Sequence, residues 1–218
     1  MVIFDCNGVL VDGEQLATAI VSQEFMRAGF PLTPDVVARY FTGRRLADMF
    51  GEVELAARRK LPEHFAATVT SAILHRFRAE LRATRHITYA LTWLRGPKCV
   101  ASSSSLDRIR VSLEATDLIR FFEPYLFSGN DVDKGKPAPD LFLHAAAKMG
   151  VPSGDCVVVE DSPVGVAAGV AAGMTVIGFV GGTHAGPKLG HHLQAAGARA
   201  VINDMRALKS TIIDLRGW

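Results

Sequence analysis

Residues 156–180 read CVVVEDSPVGVAAGVAAGMTVIGFV. The apolar run Cys156 to Val159 ends in two carboxylates, Glu160 and Asp161. From Ser162 to Thr183 no residue is charged, which invites a membrane-spanning reading. The stretch nevertheless holds six glycines and Pro163, and Gly173 splits it into a helix-like half and a strand-like half, Thr175 to Val180. A core strand, a buried helix and a second core strand fit this pattern; a bilayer span does not. Both strands are nearly unbroken apolar runs rather than alternating ones, as expected where both faces of a parallel sheet are covered.

Outward from this unit, the same kind of run recurs at Val2-Ile3-Phe4, Cys99-Val100-Ala101, Tyr125-Leu126-Phe127 and Ala200-Val201-Ile202. Between the runs lie segments with helical spacing. Leu106, Ile109, Val111 and Leu113 mark one. Leu141, Phe142, Ala145, Ala146 and Met149 mark another, with Pro139 near its start and Gly150 at its end. From about residue 85 onward this alternation predicts an α/β fold with right-handed crossovers. The first strand breaks the rhythm, because more than ninety residues separate it from the second. That is far beyond an ordinary crossover. Leu16, Ile20, Glu24 and Arg27 begin a helix that Gly29 and Pro31 end; Pro34 and Asp35 open another; Pro62 to Arg82 supports a long amphipathic one. The predicted organisation is a core of residues 1–13 plus 85–218, with 14–84 inserted as a helical subdomain.

The 218 residues are 49% hydrophobic and 21% charged, a balance that excludes disorder. A net charge of +2 with no dense basic run gives no footprint for nucleic acid; Arg58-Arg59-Lys60 reads as a solvated helix face. Cys6, Cys99 and Cys156 match no zinc spacing and sit in or beside apolar runs, which predicts buried free thiols in a reducing compartment. Strand alternation points Cys6 away from Asp5. No basic segment precedes an apolar one at the N-terminus, so a cytoplasmic location is expected, with no membrane and no protein partner.

In open parallel sheets ligands bind beyond the carboxyl ends of the strands. Strand one ends in Asp5, the second in Ser102, and the fourth in Glu160-Asp161; the third leads through a polar loop to Lys136. Three neighbouring carboxylates demand a proton or a cation among them. All-oxygen ligands favour a hard ion, and Mg2+ is the expected cofactor. A hydroxyl, an ammonium fixed between Gly135 and Pro137, and Mg2+ together suit a phosphoryl group.

Four motifs sharpen this. IFDCNGVLVDGE (3–14), VASSS (100–104), GKPAPDLF (135–142) and VVVEDSPVGVAAGVAAGM (157–174) follow in order along nearly the whole chain. In this the sequence resembles the haloacid dehalogenase superfamily, in the helical-cap branch of sugar phosphatases and β-phosphoglucomutase-like proteins. The resemblance implies a three-layer, Rossmann-like parallel sheet core with an α-helical cap. It implies Asp5 as the nucleophile that forms an aspartyl-phosphate. Asp5, Asp161 and the backbone carbonyl of Asn7 would hold Mg2+, with Glu160 in or just behind that shell. Ser102 and Lys136 would grip the phosphoryl group, with Ser103 beside them on the substrate. FTGRRLADMF (41–50) resembles the cap's specificity loop, so Arg44 or Arg45 is a candidate to reach a small phosphorylated metabolite such as a sugar or polyol phosphate.

One residue departs from the pattern. At Asn7 the family normally has a second Asp, which protonates the leaving oxygen and then activates water. Asn keeps the backbone carbonyl and loses the acid/base, a group that contributes about 10²- to 10⁴-fold. The alternatives are an engineered Asp-to-Asn change, a natural variant of weak or altered activity, the metal-free dehalogenase route, which Glu160-Asp161 opposes, and a catalytically silent phosphometabolite-binding protein. A phosphatase is the first reading and a sugar phosphomutase the second. His184, His191 and His192 lie near Gly181-Gly182 and are expected on exposed loops and helices.

Overall fold

All the apolar runs become strands of one sheet. The computed structural model describes residues 1–216, and among these six strands pair in the order β3-β2-β1-β4-β5-β6. They are β1 (Val2–Phe4), β2 (Lys98–Ser102), β3 (Leu126–Ser128), β4 (Val157–Glu160), β5 (Thr175–Phe179) and β6 (Ala200–Ile202). Every pairing is parallel. Tyr125, expected in the third strand, lies just outside it; the ring is exposed, while its carbonyl accepts from Val100 N.

Among the described residues ten α-helices accompany the strands: α1 (Glu14–Arg27), α2 (Pro34–Phe41), α3 (Leu46–Ala57), α4 (Phe65–Glu80), α5 (Ile87–Trp93), α6 (Leu106–Ala115), α7 (Asp140–Lys148), α8 (Pro163–Ala171), α9 (Leu189–Ala195) and α10 (Leu208–Arg216). The period-two alternation of β1 explains the layers. Ile3 packs with Leu141 and Phe142 of α7, Val166 of α8 and Leu193 of α9. Val2 and Phe4 face the other way, toward Leu91 of α5, Ile109 of α6 and Leu208 of α10. Phe4 meets Phe122 edge to face with ring centroids 5.7 Å apart. The result is an α/β, Rossmann-like sheet with helices on both faces.

Helices α1–α4 all fall between β1 and β2. Local chemistry starts and stops them. Thr33 accepts from Val36 N at the start of α2, where Pro34 needs no hydrogen-bond partner. Gly29, at φ +77°, makes the left-handed turn after α1. Phe25 of α1 gathers Phe30, Phe50 of α3 and Phe65 of α4 around it. α4 then packs on α6, so this aromatic cluster joins the apolar layer on one face of the sheet. The charge-free stretch from Ser162 is α8 and β5; among the described residues no helix is long and apolar enough to cross a membrane. All three cysteines are buried thiols outside any disulfide.

Candidate active site

The strand order runs outward in both directions from the β1–β4 pair. A crevice opens where such a sheet reverses, above the carboxyl ends of those two strands. Asp5 follows β1 directly, Glu160 ends β4, Asp161 comes next, and Ser102 ends the neighbouring β2. The loop after β3 carries Lys136 into the same place. Its Nζ donates to Asp5 Oδ1 and to Glu160 Oε1, each at 2.6 Å, and to the Ala101 carbonyl at 3.3 Å. The ammonium sits 4.9 Å from the centre of the Phe142 ring and is shielded from solvent.

Burial opposes charge on Lys136, but the Asp5 and Glu160 carboxylates outweigh it and hold the ammonium well above the usual lysine range. Asp5 is pushed upward by burial, relieved by Lys136, and pushed up again by Glu160 and Asp161. The ammonium thus bonds two of the three carboxylates and leaves Asp161 without a share of it.

Glu160 has no free oxygen to offer. Oε1 is taken by Lys136, while Oε2 accepts from Asp161 N, Ser162 N and Ser162 Oγ at 3.0–3.1 Å. Gly165 makes room for this: a Cβ there would lie 2.0 Å from Glu160. Asp161 differs. Its Oδ2 is buried without a hydrogen bond, and it lies against Gly8, where a Cβ would approach it to 1.9 Å. Gly8 also has φ +82°, so both conformation and space require glycine. Asp5, Asp161 and the Asn7 carbonyl are hard oxygen donors on one rim, and the unsatisfied Asp161 oxygen fits a cation. Among the described residues no three His, Cys, Asp or Glu side chains form a ready-made cage. Mg2+ needs none, because it keeps several waters and takes one or two carboxylates plus substrate phosphate.

Asn7 is buried beside Asp5 and donates from Nδ2 to Ser104 Oγ at 3.3 Å. Its Oδ1 is buried without a donor. Ser102 is buried and accepts from Ser104 N at 3.3 Å. Ser103 turns outward and donates to the Gly43 carbonyl at 2.8 Å, tying the α2–α3 loop to the rim. Arg44 and Arg45 part company. Arg44 forks onto Glu52 and lines the cavity that holds Asp5 and Asn7. Arg45 pairs with Asp48 and donates to the carbonyls of Gly129, Val132 and Asp133, so its guanidinium clasps the loop ahead of Lys136. The cleft between these elements is lined by Asp5, Asn7, Glu14, Arg44, Ser104 and Arg108 among others.

The histidine expectation needs correction at His184. Its side chain is only 13% exposed and its Nε2 lies 2.8 Å from Asp161 Oδ2, without the alignment of a hydrogen bond. Asp12 explains this placement: its Oδ1 accepts from Thr183 N and Thr183 Oγ1, while Gln15 donates to the Thr183 carbonyl. The glycine-rich loop is thereby folded back over Gly8. Burial opposes charge on His184, and Asp161 overcomes it, raising the imidazole above its ordinary range. Glu14, Ser104 and Arg108 also belong to the cleft without having been singled out from sequence. Glu14 and Ser104 carried a signal, since they close the first and second motifs; Arg108 carried none.

A family model described as haloacid dehalogenase-like hydrolase matches residues 1–173. The chain is 33% identical over 187 residues to 6-phosphogluconate phosphatase of Escherichia coli (strain K12), covering 85% of each. It is 30% identical to hexitol phosphatase A of the same organism, covering 80% of each. A crystal structure of a haloacid dehalogenase-like protein of unknown function from Agrobacterium tumefaciens superposes with a TM-score of 0.82 at 35% identity, covering 99% of this chain and 98% of that one.

Proposed function

The chain belongs to the haloacid dehalogenase-like hydrolase family, and on that premise we propose that it is a Mg2+-dependent phosphatase of a small phosphorylated sugar acid, sugar or polyol, working through Asp5. The observation that carries the reading is the ammonium of Lys136 shared by Asp5 and Glu160 at the point where the strand order reverses. Lys136 orients the Asp5 carboxylate and supplies positive charge beside a transferring phosphoryl group. Asp5 attacks phosphorus as the ester P–O bond breaks, and the departing oxygen takes a proton from water, since Asn7 has none to give. Water then attacks the aspartyl-phosphate, releasing inorganic phosphate and restoring the carboxylate. Asp5, Asp161 and the Asn7 carbonyl would hold Mg2+, which supplies Lewis-acid neutralisation of the phosphoryl oxygens. Glu160 stands behind that shell, fixing Lys136 and the α8 N-terminus. Residues 14–84 act as a cap over the core formed by 1–13 and 85–218, with Ser103 and Arg45 as its fastenings.

Asn7 can neither protonate the leaving oxygen nor activate water. Turnover therefore stalls at both proton-transfer steps, and the covalent intermediate outlives its usual lifetime. The test is paired: unaltered protein and Asn7→Asp, on a panel of phosphate esters, with and without Mg2+. Phosphate release that rises on Asn7→Asp and vanishes with a chelator supports a phosphatase. Isomerised sugar phosphate without release identifies a mutase instead. Ligand binding with no turnover in either protein identifies a silent binder.

A further inference from the structure

The cleft contains one arginine that the fold leaves unmatched. Arg44 forks onto Glu52 and Arg45 onto Asp48. Arg108, in the first turn of α6, has no carboxylate within ion-pair distance among the described residues, and its Nε is buried without a hydrogen-bond acceptor. The guanidinium stands over the ring of Phe77 of α4, 5.0 Å from its centre, so it is held between the core and the helices above. It lines the cavity that contains Asp5 and Asn7 and also the adjoining one bounded by Arg44, Ser105 and Asn130, which does not include Asp5.

A guanidinium cannot discharge when buried, because its pKa stays far above neutrality. Burial lowers the Arg108 pKa, and the field of Glu14 across the cavity opposes that without forming a pair. Buried charges in folded proteins are matched by a partner, and a guanidinium matches a planar carboxylate in two-pronged fashion. The phosphoryl group already has Lys136 and Ser102 around Asp5. The group left for Arg108 is therefore a second anion on the same ligand, further along the cleft.

We propose that Arg108 binds a carboxylate of the substrate, so that this enzyme prefers a phosphorylated polyhydroxy acid to a neutral sugar or polyol phosphate. The inference rests on the phosphatase reading of the site and narrows it. The phosphogluconate and hexitol phosphatases of E. coli are both similar to this chain, so similarity alone leaves the choice open. Arg108 makes it.

The test is calorimetric binding to the unaltered protein with Mg2+ present, using phosphogluconate, sorbitol phosphate and inorganic phosphate. Binding needs no turnover, so Asn7 does not interfere. Phosphogluconate is expected to bind roughly 10- to 100-fold more tightly than sorbitol phosphate, the range of a charge-assisted hydrogen-bonded pair. Arg108→Gln should remove that preference while leaving sorbitol phosphate and inorganic phosphate nearly unchanged. Arg108→Lys, which keeps the charge and loses the fork, should fall between. Equal affinity for the two esters on the unaltered protein overturns the proposal alone, with no variant required. So does an Arg108→Gln protein that loses all three ligands equally while remaining folded, since Arg108 would then serve the phosphoryl group. If none of the three binds the unaltered protein, the phosphatase reading falls and this proposal with it.

Discussion

The floor of the cleft and its wall are built on opposite terms. On the floor, Lys136, Asp5 and Glu160 satisfy one another at 2.6 Å, and the second oxygen of Glu160 is held by the start of α8. On the wall, Asn7 Oδ1 and Arg108 Nε are buried with nothing to bond, and Asp161 Oδ2 has only the misaligned His184 beside it. A satisfied buried network is rigid and specifies one geometry. Unsatisfied buried groups are costly unless a ligand completes them. On the proposed function, the difference separates tasks: the floor would fix the chemistry, and the wall would meet the metal and the substrate.

Substitutions break this contrast in order of effect. Asp5→Asn, made in the Asn7→Asp background, should reduce phosphate release to the buffer rate, read by a colorimetric phosphate assay. Release that persists would move the nucleophile elsewhere. Asn7→Asp should raise steady-state release by about 10²- to 10⁴-fold, worth roughly 3–5 kcal/mol of barrier. Lys136→Ala attacks the floor itself. Removing one partner of a buried pair costs about 3–5 kcal/mol, and here Asp5 and Glu160 would be left facing each other. Urea unfolding should report a loss of that order, and a change under about 1 kcal/mol would mean the network carries no such strain. The smallest effect belongs to the fastening between helices and core. Arg45→Ala removes donors to three carbonyls, so stability should drop by about 1–2 kcal/mol. Amide exchange should rise in the loop after α2 and in residues 129–133 together. Exchange that rises on one side only would show that Arg45 does not couple them.

The floor was legible in the sequence because its carboxylates sit where strands stop. The apolar runs ending in Asp5, Ser102 and Glu160-Asp161 needed only the rule that parallel strands deliver their ends to one rim. Lys136 was reachable through its position after the third run and its place between Gly135 and Pro137. The wall was legible only in part: Asn7 and Asp161 lie in the motifs, whereas His184 and Arg108 carried no signal for the site. His184 is held near Asp161 as Asp12 and Gln15 grip Thr183, contacts that span more than 160 residues of chain. Arg108 occupies an ordinary helix position, and nothing in its spacing tells that Phe77, from a different helix, stacks beneath it. Arg44 and Arg45 are adjacent and chemically alike, yet one lines the cleft and the other clasps a loop. Tertiary approach separates them, and local pattern carries no trace of it. Tyr125 missed its strand by a single residue for a smaller reason: a three-residue strand has no period with which to fix its ends.

The most direct measurement uses p-nitrophenyl phosphate, whose leaving group departs without needing a proton. With that ester the first step escapes the defect at position 7, and only the water attack suffers. Mixed with Mg2+ and the unaltered protein, it should give a burst of nitrophenol close to one equivalent, followed by slow turnover. Peptide mass analysis should find one phosphoryl group on Asp5, and the Asn7→Asp protein should show fast turnover with no such adduct. A burst absent from the unaltered protein while Asn7→Asp turns over rapidly, or an adduct on any residue other than Asp5, would contradict the assignment of Asp5 as nucleophile and Asn7 as the missing acid/base.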